Sequence, residues 1–218
     1  ASTRIAVDLA RHAKSAGAAG VGAISPYYSP GLPEENLYSY FAGILDAVNE
    51  PDFPFFVYNN SHYSQNTVTP ALLARLAERG LRGCKDSSFD LVNFFQFTDA
   101  VSDYPEFNVI VGTEAFFVGA FDAGATGTVC GLGNIFPEVL RRLYDAYMAG
   151  KRDEAMELQR LVLRIRGITK SGPTVPIMHE ILRMRGIDGG YPRSPFIPPA
   201  SKTTEQVRAR LEALGLFG

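Results

Sequence analysis

Two side chains able to do chemistry each close an apolar run. Val57-Tyr58-Asn59 ends one run and Gly83-Cys84-Lys85-Asp86-Ser87-Ser88 ends the next, so a phenol and a primary amine stand at the mouths of two strand-like segments. A lysine is misplaced there for packing. An unpaired ammonium at the end of a buried strand is costly, and burial favours the neutral amine, which can attack a ketone. That is the chemistry of a Schiff-base lysine. The plainer alternatives are a strand-end lysine paired with Asp86 and a core tyrosine whose hydroxyl finds a backbone partner.

The elements that must position this pair follow from the hydrophobic pattern. Amphipathic helical stretches alternate with short apolar runs bounded by Gly, Pro, Ser and Asn, the pattern of repeated β/α units around a parallel sheet. Ser2 or Thr3 caps a first helix carrying Ile5, Leu9 and Ala13, and a strand follows over Val21 to Ser25. Pro33 opens a helix with Leu37, Phe41, Ile44, Leu45 and Val48 on one stripe, followed by a strand over Phe53 to Tyr58. Thr69-Pro70 is an N-cap with a first-turn proline, and Leu81 to Lys85 is the next strand. Helices are expected over about 89–101, 114–123 and 137–149, with strands over Phe107 to Gly112 and Thr126 to Gly131. From Lys151 onward the strands stop, and three helical patterns remain around 153–168, 173–185 and 203–214.

Composition narrows the chemistry. The 218 residues suit one domain with a substantial core. The net charge of −2, with acidic and basic residues mixed throughout, points away from nucleic acid or an anionic membrane and toward a small soluble substrate. Cys84 and Cys130 lie in apolar runs outside any metal spacing and read as reduced thiols of a cytoplasmic protein, without a disulfide. No signal peptide or membrane-spanning segment is expected. No metal site is suggested, and His12 and His179 read as structural. Gly124, Gly127, Gly131 and Gly133 do not form a dinucleotide fingerprint, so no cofactor is expected.

Five motifs carry a resemblance. Ser25-Pro26-Tyr27-Tyr28, Tyr58-Asn59, Gly83 to Ser88, Val111-Gly112-Thr113-Glu114 and Gly124-Ala125-Thr126-Gly127-Thr128 through Asn134 resemble, in order and spacing, the dihydrodipicolinate synthase and N-acetylneuraminate lyase superfamily. The resemblance implies an α/β fold, a (β/α)₈ TIM barrel with a C-terminal helical extension and an active site at the C-terminal ends of the strands. Only about five β/α units are legible, corresponding to strands four to eight. Residues 1–150 are thus expected to form a partial barrel and 151–218 the helical extension. The family's Gly-Thr-Thr-Gly-Glu type loop, which holds the substrate carboxylate, is absent from this sequence. A piece of a longer protein, incompetent for catalysis by itself, is the expectation, because five strands of a barrel leave two open edges.

By the same resemblance, Lys85 attacks pyruvate or another 2-oxo acid, and Tyr58 donates and accepts protons. Tyr28 is a second relay or reaches a neighbouring subunit of a homotetramer. Gly112 and Val129 shape the pocket with their carbonyls. Glu114 accepts from substrate hydroxyls, or merely favours a helix N-terminus. The family's synthases usually place an arginine five residues after this tyrosine; here Tyr63 stands there, which disfavours a dicarboxylate-like second substrate. Tyr63, Asn60, His62 and Glu114 suit a hydroxylated acceptor. The first reading is therefore a lyase, an aldolase cleaving a 2-keto-3-deoxy sugar acid to pyruvate and an aldehyde. A dehydratase using the same lysine, or a condensing enzyme like dihydrodipicolinate synthase, is the alternative. From another class, a non-catalytic oxo-acid-binding or assembly subunit stays open.

Overall fold

A computed structural model describes residues 2–48, 50 and 52–217. The first helix, α1 (Thr3–Ser15), starts where expected, with the Ser2 hydroxyl accepting from the Ile5 amide at 3.4 Å. Strand β1 (Val21–Ile24) leads to α2 (Glu34–Val48), and β2 (Phe55–Asn59) to the short α3 (Ser61–Ser64) and α4 (Pro70–Glu78). Then come β3 (Gly83–Asp86), α5 (Leu91–Ala100), β4 (Asn108–Val111), α6 (Phe117–Asp122) and β5 (Gly127–Thr128). The five strands are parallel and run in the order β1-β2-β3-β4-β5, so each β/α unit lays its strand beside the one before it.

Side chains alternate across this sheet, as the two-residue period of a strand requires. Phe55, Val57, Cys84, Val109 and Val111 are buried in a core shared with Phe41 and Leu45 of α2, Leu72, Leu73 and Leu76 of α4, and Phe94 and Phe97 of α5. Each such burial contributes roughly 1.5–3 kcal/mol, which makes the helix-facing side of the sheet the source of its stability. Residues of the other face, among them Ile24, Phe56, Tyr58, Lys85 and Ile110, are half-buried. That second face is where chemistry is accessible.

The chain divides into two compact units, one ending at Val129 and the other starting at Cys130. The second is helical: a 3₁₀ turn at Gly131–Asn134, then α7 (Pro137–Met148), α8 (Arg152–Thr169), α9 (Thr174–Met184) and α10 (Ser201–Glu212). Within it α7 packs on α8, and α10 packs on α8 and α9, burying Leu143, Val162, Ile165, Ile177, Ile181, Val207 and Leu211. No helix among the described residues is long and apolar enough to cross a membrane.

Candidate active site

Parallel register builds the site. Ile24, Tyr58, Lys85 and Ile110 are aligned across β1, β2, β3 and β4, so the phenol and the amine are direct neighbours on adjacent strand ends. The Lys85 ammonium nitrogen lies 3.8 Å from the centroid of the Tyr58 ring. One step earlier on the strands, the Phe56 ring crosses Gly83, where an added Cβ would stand 2.3 Å from ring carbon Cε1. Only glycine permits that approach. Lys85 is half-buried rather than fully buried, so the desolvation expected from its strand-end position is partial.

The Tyr58 oxygen is surrounded by donors. The Asn60 amide nitrogen donates to it at 2.8 Å, and the Ser87 hydroxyl and Lys85 also hydrogen-bond to it. Burial alone pushes the phenol up, but these hydrogen bonds from Ser87, Asn60 and Lys85, together with the Lys85 charge, bring it below the usual phenol value.

On the opposite face of the same strand ends, Asn59 and Asp86 are also in register and both buried. Asn59 Nδ2 donates to Asp86 Oδ1 at 2.6 Å, and its Oδ1 accepts from the Val68 amide at 3.2 Å. Asp86 Oδ2 accepts from the Ser88 hydroxyl at 2.7 Å. Main-chain bonds from Ser87 to Asn59 at 2.8 Å and from Gly112 to Asp86 at 2.7 Å continue the tie to the next unit. Gly112 has to be glycine, since a Cβ would lie 1.9 Å from Ser87 Oγ. Cys84 offers no nucleophile: burial pushes its thiol far up.

Two loops frame this centre, joined by one side chain. Asn66 Nδ2 donates to the carbonyls of Pro26 and Ser29, each at 2.8 Å, while its Oδ1 accepts from the Leu32 amide at 2.8 Å. The loop after β1, with Tyr27 and Tyr28, is thereby fastened to the loop after β2, with Asn60 and Tyr63. Tyr28 has a left-handed φ of +83° and is 97% exposed, an unusual combination for a tyrosine. Tyr63 is 73% exposed on α3, where its ring packs edge-on against His62. Glu114 is buried beyond β4, and Val129, half-exposed, donates its amide to the Val111 carbonyl at 3.0 Å. The structure thus brings Tyr58, Lys85, Asn60 and Ser87 together and leaves Tyr28 and Tyr63 in solvent.

The sequence reading gave no role to Ser87, Asn59 or Asn66 and weighed Asp86 only as a partner of Lys85, whereas Asp86 is turned to Asn59 and Ser88. Asn59 and Asp86 had a signal, because Tyr-Asn and Lys-Asp at equivalent strand ends come into register in any parallel pair. Asn66 had none, since its partners are main-chain atoms some 34 to 40 residues earlier.

The sequence profile of the dihydrodipicolinate synthetase family matches residues 1–214. The chain belongs to this family. Among its relatives, an uncharacterized DapA-like lyase of Halobacterium salinarum is 34% identical over 99% of this chain and 69% of its own length. A 4-hydroxy-tetrahydrodipicolinate synthase of Gluconacetobacter diazotrophicus is 31% identical over 99% of this chain and 71% of its own. The crystal structure of YagE, a prophage protein of this family from E. coli K12 in complex with pyruvate, superposes with a TM-score of 0.88 at 26% identity. It covers 98% of this chain and 72% of that one. The five-stranded sheet is accordingly part of the family's TIM barrel. Among the described residues no group of three His, Cys, Asp or Glu is arranged to hold a metal ion.

Proposed function

We propose that Lys85 forms a Schiff base with pyruvate or a related 2-oxo acid, and that the chain is the lysine-bearing part of a class I aldolase for a 2-keto-3-deoxy sugar acid. One observation carries this reading: the Lys85 nitrogen lies 3.8 Å from the Tyr58 ring centre, beside a phenol oxygen held by hydrogen-bond donors. The amine adds to the C2 ketone, and the carbinolamine loses water to give a protonated imine. Tyr58 then takes the proton of the C4 hydroxyl as the C3–C4 bond breaks, its electron pair flowing into the imine. An aldehyde leaves, and the enamine takes a proton at C3. Water then releases pyruvate and restores the amine.

Other residues are assigned by position. Gly112 and Val129 present carbonyls, Glu114 meets substrate hydroxyls, and exposed Tyr63 contacts the far end of the acceptor. Tyr28, fully in solvent in the single chain, reaches a neighbouring copy in a homotetramer. A condensing reaction is the second reading, favoured by the 31% identical synthase. Tyr63 argues against it, because a phenol cannot pair with a second carboxylate as a guanidinium does.

Incubation with pyruvate and borohydride, followed by intact mass and a peptide map, tests the reading. A reduced adduct on Lys85, lost in Lys85→Arg, is the expected result. An adduct on a residue other than Lys85, or none on a complete barrel that carries the carboxylate-binding loop, would sink it.

A further inference from the structure

Asn60 is 5% exposed, on the loop after β2, and both ends of its side chain are engaged. Its Oδ1 accepts from the Tyr63 amide at 3.4 Å and caps α3, while its Nδ2 donates to the Tyr58 oxygen at 2.8 Å. These two contacts fix which way the carboxamide points. Turned over, it would face an N–H with an NH₂ and lose the cap, and its oxygen would demand the phenol's hydrogen.

We propose that Asn60 is the positioning residue that presets Tyr58 to receive a proton, a role that rests on the reading of Tyr58 as the acid–base group of the site. The Asn60 amide donates to the phenol oxygen at 2.8 Å, and that bond strengthens when the oxygen carries negative charge. The charged group acting on the phenol is Lys85, from β3. At the same level β1 presents the apolar Ile24, and Asp86 is turned to the other face, held by Asn59 and Ser88. A neutral donor that cannot titrate therefore supplements a cation whose charge is consumed and regenerated in each turnover. Tyr58 keeps a bias toward the phenolate while Lys85 changes state.

The test isolates the donor from the cap. Asn60→Ser keeps an uncharged cap acceptor but is too short to reach the phenol; Asn60→Asp keeps the cap and replaces the donor by an acceptor. Ultraviolet titration of phenolate in the full chain, minus the curve of Tyr58→Phe, isolates Tyr58 from the other tyrosines. The Tyr58 midpoint is expected to rise by about one pH unit in Asn60→Ser and further in Asn60→Asp. An unmoved midpoint in Asn60→Ser overturns the proposal, and a rise in Asn60→Asp alone does so too, because it reports only an added charge. The pyruvate adduct is scored separately. If a complete barrel forms none while the midpoint shift is present, the Schiff-base reading fails and the Asn60–Tyr58 coupling stands.

Discussion

Tyr58 and Asp86, less than one turn of chain from each other's partners, are pushed in opposite senses by their surroundings. Donors and a cation lower the phenol, whereas burial raises the Asp86 carboxyl, with hydrogen bonds from Ser88 and Asn59 opposing and the Asp90 charge adding to the rise. A carboxyl that titrates higher in the folded state binds protons more tightly there, so its contribution to stability falls as pH rises from the ordinary carboxylate range through the folded value. Asp86→Asn is expected to flatten that fall. At neutral pH it should change stability by less than about 1 kcal/mol, since an amide keeps an acceptor for Asn59 and offers a donor to Ser88. Urea melts at pH near 4 and near 7 decide it, and equal slopes in wild type and variant would refute it. Lys85 and Tyr58 were legible in the sequence because an amine and a phenol are chemically out of place at the ends of apolar runs. Ser87 and Asn66 were not, because a serine or asparagine in a polar loop has no signature until the fold supplies its partner.

Elements were legible where termini are chemically marked. Thr69-Pro70 announced α4, and the Thr69 hydroxyl accepts from the Leu72 amide at 3.0 Å while donating to Glu34 at 2.5 Å. Thr69→Ala should cost about 1–2 kcal/mol, read as a lower urea midpoint, with Thr69→Ser recovering most of it. An unchanged midpoint would mean that Pro70 alone fixes the start of the helix. Elsewhere periodicity overreached. The strand expected from Phe53 begins at Phe55, because Phe53 instead bridges back to Glu50 and Pro54 intervenes. The strand expected over Thr126 to Gly131 is only Gly127–Thr128, because Gly131–Asn134 turns into a 3₁₀ helix. The four residues of α3 are too few to show a period at all, and that helix rests on the Asn60 cap.

At the scale of the whole molecule, the described sheet ends at β1 on one side and β5 on the other. Beside β1 lies an apolar groove of about 350 Å³, where Ile5 and Leu9 of α1 are 49% and 64% exposed. Unpaired strand edges next to apolar surface promote pairing between chains. The 218-residue chain should therefore self-associate in sedimentation velocity, and Leu9→Lys should weaken this; a wild-type monomer at high concentration would contradict it. The adjacency of β2 and β3 also has a consequence in time. Asn59 and Asp86, and with them Tyr58 and Lys85, are only 27 residues apart. The entropy of closing a loop grows only with the logarithm of its length, so this short crossover is among the easiest long-range closures available to the chain. At roughly 5–20 residues per second of synthesis, the lysine emerges within seconds of the tyrosine and long before the helical unit exists. Tyr58 and Lys85 are thus expected to meet on the nascent chain, well before the protein that surrounds them is complete.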